Sequence, residues 1–257
     1  MLMADMTFPE AKTAIDKAGL VLVPCGSFEA HGHHLPLSTD ADTALEIAKR
    51  AGEKADIPVA PLIPFGMSQH WSVFPGTITF TSETYAIVIR EVCDCLFRAG
   101  AKRLLFVNGH GGNNRVLQET LSNVFLQNRG QRTVALVHCL GVLGEIWSRA
   151  KEYKFGHSDM REASIMLALK PQSVHLDRAQ QVDVFTKQIG EGLTVHPASK
   201  LVYQKGSLFY PWALDQWLPA GSWGELRDSS AEMGEEILEV VSDYIAGFAK
   251  EFRKTPV

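Results

Sequence analysis

The 257-residue chain has no surplus of positive charge: 25 Lys and Arg stand against 29 Asp and Glu, a formal net charge of −4. Phosphate backbones are held by clustered cations, so nucleic acid is not an expected partner. Long apolar runs are missing too. Leu20 to Pro24 and Val134 to Val137 are strand-sized, far short of the ~18 residues of a membrane helix, and no membrane association is expected. Cysteine is scarce, at four residues, and no Cys-x-x-Cys occurs. Cys93 and Cys95 are two apart within a helical pattern and point in different directions, so all four thiols are read as reduced. Met1 to Phe8 has no basic segment leading into an apolar stretch. Together these lead to the expectation of a cytoplasmic protein. Internal repeats, low-complexity tracts and linkers are absent, which favours one domain over residues 1–257. An apolar fraction of 46% and a charged fraction of 21% fit a globular chain rather than a disordered one. Histidine is well represented, at nine residues, and its placement is informative.

Thr7 and Glu10 form a capping-box pattern for a helix to about Ala18, closed by Gly19. Leu20 to Pro24 reads as a strand buried on both faces. Helical spacing follows over Asp42 to Ala55, Ser82 to Ala99, Arg115 to Gln127, Ser158 to Ala168 and Ala231 to Phe252. Arg103 to Val107 and Thr133 to His138 are further strands, with Thr77 to Phe80 a short one and Ile57 to Ile63 strand-like but frayed by prolines. Strands alternating with helices predict an α/β fold with a mostly parallel sheet covered on both faces. Residues 180–225 have weak periodicity and read as an excursion or a lid. Trp212, Trp217 and Trp223 lie there, suited to an interface or lid and equally well to packing on the domain's own core.

Ligands gather at the carboxyl ends of strands in open α/β sheets. Two polar loops take that position: Glu29-Ala30-His31-Gly32-His33-His34 with Asp40 beyond it, and Asn108-Gly109-His110-Gly111-Gly112-Asn113. Glu, His and Asp together form a donor set for zinc or manganese. Glu29 and His31 share one side of an extended segment. A carboxylate such as Asp40 can bridge two cations ~3.5–4 Å apart. Composition leaves a metal site and a solvated, structural loop about equally open. Phosphate cradling by the second loop ranks below both, since no Lys-Ser/Thr follows it. His157-Ser158-Asp159-Met160-Arg161-Glu162 reads first as a helix start capped by Asp159 and Glu162 with His157 exposed, and second as a proton carrier, His157, with a further ligand, Glu162. Ser68-Gln69-His70-Trp71 suits a substrate wall or a surface turn.

At a longer range the motifs resemble one family. Val23-Pro24-Cys25-Gly26-Ser27-Phe28-Glu29-Ala30-His31-Gly32-His33-His34-Leu35-Pro36-Leu37-Ser38-Thr39-Asp40 is similar to the signature of the creatininase (creatinine amidohydrolase) family. So are Gly66-Met67-Ser68-Gln69-His70 leading to Phe74-Pro75-Gly76-Thr77, Val107 to Asn113, and Gly221-Ser222-Trp223-Gly224 with Ala231-Glu232-Met233-Gly234. The resemblance runs from the first helix to the last. It implies a three-layer α/β/α sandwich and two divalent metal ions per chain, zinc or manganese, with iron as a further option. Carried over position by position, it implies Glu29 and His110 on one ion, His31 on the other, Asp40 between them and Glu162 closing the site. It further implies His157 as the catalytic histidine. Ser68 matches a substrate-contacting serine, and His70 and Gly111 are taken with it as substrate-binding positions.

True creatininases have a ligating Glu where this chain has Gly112, and an aromatic where it has Gly111. Their His-Ala-Gly frame here reads His157-Ser158-Asp159. The resemblance is therefore to a branch other than the creatininases proper. It implies a metal-dependent amidohydrolase that cleaves a C–N bond of a small cyclic or linear amide, a creatinine-like lactam or a formamide. Two alternatives are carried: isomerisation or dehydration of a keto sugar on the same centre, and metal binding without turnover. A small-molecule substrate and a homo-oligomer, hexamer favoured, complete the expectation.

Overall fold

A computed structural model describes residues 1–180, 186–196, 200–210 and 214–257; Trp212 lies outside them. Three strands, β1 (Leu20–Cys25), β2 (Arg103–Asn108) and β3 (Thr133–His138), form a parallel sheet in that order. Leu22 pairs with Leu105 and Leu105 with Ala135. The segment 57–63 reaches β1 only through isolated bridges, Leu22 to Val59 and Cys25 to Ile63. Its prolines remove ladder donors, so the frayed strand expected there is what forms. The strand expected at Thr77 to Phe80 is likewise reduced to bridges, Phe28 to Ile78 and Gly66 to Thr79.

Side chains alternate across the sheet, and each face buries its own helical layer. Leu20, Leu22, Leu105 and Val107 pack with residues of α2 (Thr39–Ala55), α5 (Cys139–Ile146), α6 (Met160–Leu169) and α7 (Ala231–Phe252). Val21, Val23, Leu104 and Phe106 pack with α1 (Phe8–Ala18), α3 (Ser82–Arg98) and α4 (Asn114–Gln127). This is the three-layer α/β/α sandwich. The capping box forms, with the Thr7 amide donating to Glu10 Oε2 at 2.7 Å.

Three differences from the expected elements bear on the site. Helix α2 begins at Thr39 rather than Asp42, which puts Asp40 in its first turn. Helix α6 begins at Met160, because Ser158 takes a left-handed φ of 58° and Asp159 caps the helix through the Arg161 amide. Helix α5 follows β3 directly. Within residues 180–225, β4 (Lys187–Gly190), β5 (Leu193–His196), β6 (Lys200–Tyr203) and β7 (Gly206–Phe209) form an antiparallel meander. Trp217 is buried with Trp71, Leu214, Leu218 and Val195, and Trp223 packs against them. Among the described residues, no helix is long and apolar enough to cross a membrane.

Candidate metal centre

The carboxyl ends of β1 and β2 open onto the two His-bearing loops, and the first turn of α2 is pressed between them. Close approach makes this possible: a Cβ on Gly109 would stand 2.3 Å from the Asp40 carbonyl. Only glycine admits the helix here. Asparagines tie the second loop in place. The Asn113 amide donates to the Gly26 carbonyl at 2.9 Å, and its oxygen accepts from the Met67 amide at 2.8 Å. Asn108 donates to the His110 carbonyl and accepts from the His110 amide.

Glu29, His31, Asp40, His110, His157 and Glu162 all converge, and all are buried. Their ligand atoms fall into groups within 4.8 Å: Glu29, Asp40 and His110; His31, Asp40 and Glu162; and Glu29, His31 and His157. Asp40 belongs to two of these. Its Oδ2 lies 2.8 Å from His110 Nδ1 and its Oδ1 3.3 Å from His31 Nε2.

Backbone carbonyls set the orientation of each imidazole. His31 Nδ1 donates to the Glu29 carbonyl at 3.0 Å, His110 Nε2 to the Met67 carbonyl at 3.1 Å, and His157 Nε2 to the Ala30 carbonyl at 2.8 Å. A carbonyl only accepts, so each outward nitrogen carries its proton and the inward nitrogen of a neutral ring offers a lone pair. In that state His110 Nδ1 and Asp40 Oδ2 are two acceptors in contact, and a proton or a cation must lie between them. Glu29 Oε1, His31 Nε2 and Asp40 Oδ2 are buried with no hydrogen-bond partner among the described residues. Unpartnered buried acceptors of this kind are costly unless something cationic satisfies them. Nitrogen and oxygen donors fit zinc or manganese.

The electrostatics of the metal-free site point the same way. Burial opposes charge on His31, yet Asp40, with Glu162 and Glu29, outweighs it and lifts the pKa to about 10. His110 is lifted to about 9 against its burial, chiefly by Glu29 and Asp40. Asp40 is held below the carboxylate range, the two imidazoles overcoming its desolvation. Burial pushes Glu162 up to about 8. Burial and the nearby His31 hold His157 neutral, well below the usual histidine value. Its ring stacks on Trp71, centroids 4.1 Å apart at 19°, with Trp223 beyond at 5.3 Å.

Ser68 does not line the cavity. It is fully buried behind Glu29, where Ser27 Oγ donates to Glu29 Oε2 at 2.6 Å and lies 2.7 Å from Ser68 Oγ. The single Ser27 proton is committed to Glu29, so Ser68 donates to Ser27. His70 and Gly111 do line the cavity, and His70 stacks 6.1 Å from His110. The two glycines differ. A Cβ on Gly112 would stand 2.3 Å from His110 Nε2 and 2.4 Å from the Met67 carbonyl, so no side chain fits while His110 keeps that bond. A Cβ on Gly111 meets nothing nearer than His138 Cε1 at 3.6 Å.

The cavity over the cluster has a volume of about 470 Å³. Phe209, Leu214 and Trp223 wall it, together with His138 and Arg161, two positions the sequence reading passed over. His138 ends β3, so the same strand-end rule that drew attention to Glu29 and His110 applies to it.

This fold and donor set define a class: an α/β/α protein with a carboxylate–imidazole cluster suited to binding metal. A family model described as creatinine amidohydrolase matches residues 4–249. The chain belongs to the creatininase family. It is 27% identical to the creatinine amidohydrolase of Pseudomonas putida over 98% of this chain and 96% of that one. The mycofactocin precursor peptide peptidase of Mycolicibacterium smegmatis is 32% identical over 62% of this chain and 61% of that one. A solved creatininase variant in a Zn–Zn form shares the fold, with a TM-score of 0.81 at 24% identity, covering 99% of this chain and 98% of that one.

Proposed function

We propose that the protein is a metal-dependent amidohydrolase that cleaves a C–N bond of a small cyclic or linear amide. The observation that carries this reading is Asp40, whose two oxygens face two separate donor groups. Glu29 and His110 would hold one divalent cation, His31 and Glu162 the other, with Asp40 between them. When bound, such a pair lowers the pKa of a water toward neutrality and polarises an amide carbonyl.

The chain's own groups supply the rest. His157 is neutral and keeps Nδ1 free on the cluster side, where it lies 3.9 Å from Glu29 Oε1. It takes a proton from the attacking water at that atom and returns it to the leaving nitrogen. Trp71 fixes its plane. Ser27 and Ser68 hold Glu29 from behind. Gly111 leaves open the space over the second loop. The cavity volume suits a small molecule, which favours a small amide over a peptide precursor. Homo-oligomers, hexamers first, rest on the family resemblance and belong to the same proposal.

Product analysis on zinc- or manganese-loaded protein tests the reading with a panel of formamides and lactams. Release of ammonia or an amine together with a carboxylate is the expected result. A product of unchanged mass would replace hydrolysis with isomerisation. Full metal loading with no turnover of any amide would leave a binding protein.

A further inference from the structure

Besides His70, the cavity is lined outside the cation cluster by two further hydrogen-bond donors, His138 and Arg161. His138 closes β3 and its imidazole makes no hydrogen bond among the described residues, while Gly111 and Gly141 leave its flanks open. A Cβ on Gly141 would stand 2.6 Å from His138 Nδ1. Arg161 is 93% buried, being 7% exposed, and lines the same cavity. Its Nε and Nη2 grip Asp159 at 2.9 and 2.7 Å. Nη2 also reaches the Gly156 carbonyl at 3.2 Å, and Nη1 reaches the Leu140 carbonyl at 3.5 Å. A guanidinium has five N–H groups, so one on Nη1 has no acceptor among the described residues. Leu140 is two residues from His138, which brings the two donors to one wall.

We propose that His138 and Arg161 form an anchoring subsite that takes a carboxylate carried by the amide substrate. This rests on the amidohydrolase reading and adds a substrate class to it: a small amide with an anionic substituent. Three features support the choice of an anion. Asp159 occupies the Nε and Nη2 side of Arg161, while Nη1 has only the long bond to the Leu140 carbonyl. Burial, only partly opposed by Asp40, holds His138 at about 4, so its ring is neutral at pH 7 and carries one N–H. A buried donor left without an acceptor costs stability, and a carboxylate on the substrate would satisfy both donors at once.

Two lactams that differ by a carboxylate test the proposal: 2-pyrrolidinone and 5-oxoproline. Their dissociation constants are measured by calorimetry on the zinc-loaded full chain. Wild type should bind 5-oxoproline at least ~10-fold more tightly, a step of ~1.4 kcal/mol. His138→Phe, which keeps a ring but removes the donor, should pull that ratio toward one with zinc content unchanged. Arg161→Met should do the same; because it strands Asp159 and risks misfolding, His138→Phe is the deciding variant. Equal affinity for the two lactams, including no binding of either, overturns the proposal. So does a wild-type preference that survives His138→Phe, since the carboxylate would then be held elsewhere. The hydrolytic reading stands or falls separately, on metal content and amide turnover of the wild type.

Discussion

Residues 25–40 and 108–113 carry most of the carboxylate–imidazole cluster, while residues 187–210 supply Phe209 to the same cavity. In the first region Glu29 and His31 are 0% exposed, the His31 and His110 imidazoles are tied to carbonyls, and Asn113 bonds the Met67 amide and the Gly26 carbonyl. In the second, Leu208 is 53% and Phe209 80% exposed, and the four strands hold four residues each. Chemistry that needs fixed geometry sits on the rigid sheet ends, whereas the wall that meets the substrate hangs on a lightly packed meander.

The largest effect should come from the centre of the rigid region. Asp40→Asn keeps the side-chain shape but removes the charge facing both donor groups. Amide turnover should fall by on the order of 10³-fold, ~4 kcal/mol in the barrier, with an unchanged far-UV dichroism spectrum. Full activity in this variant would erase the distinction between floor and wall.

Gly112→Ala and Gly111→Ala sharpen it from within one loop. The first places a methyl against His110 Nε2 and the Met67 carbonyl and should cost about 1–3 kcal/mol in denaturant unfolding, with weaker metal retention. The second meets open space and should stay within about 0.5 kcal/mol of wild type. Equal costs would mean that the His110–Met67 bond does not hold the loop.

Proton linkage gives a third comparison. In the metal-free protein His31 and His110 titrate at about 10 and about 9, above the ~6.5 of an unfolded imidazole. Their stabilisation is complete below pH ~6.5 and is lost as pH rises through 9 to 10. The melting temperature of chelator-treated protein should therefore fall across that range. Zinc added at pH 7.5 should release protons into weakly buffered solution, ~2–3 per chain, from His31, His110 and Glu162, the last at about 8. No proton release would mean that these groups do not bind the cation.

The smallest effect on the fold belongs to the wall. Phe209→Ala should move the melting temperature by under 2 °C, because the ring packs so little. It should raise KM several-fold in amide assays. A large loss of stability would show the meander to be part of the core.

Much of this contrast was legible in the sequence. The apolar runs at β1, β2 and β3 and the 3.6-residue spacing of α1, α3, α4 and α7 mark the sandwich, because both faces of β1 and β2 are buried and β3 is partly covered beside them. Glu29, His31, Asp40 and His110 stand in motifs long enough to align by eye, whereas His157 and Glu162 stand in a frame that departs from the family's and reads as a helix start. The meander was not legible. Its strands are short and half exposed, so apolar alternation is weak; the two-residue turns Glu191-Gly192 and Gln204-Lys205 were the available signals. Helix α5 was missed because Cys139 to Ile146 is largely apolar and holds two glycines, which hides its period. Ser68 was expected at the substrate and lies behind Glu29 instead, since spacing along the chain does not tell which side of a buried carboxylate a hydroxyl reaches. Arg161 and Asp159 read as an ordinary helix start; their burial as a pair is a tertiary fact.

The central claim is that Asp40 stands between two cations. It is tested most directly by counting metals per chain with elemental mass spectrometry, on protein purified without chelator or affinity-metal exposure. The account predicts about two equivalents of zinc, manganese or iron. A count near zero, with no uptake on adding zinc or manganese, would contradict it.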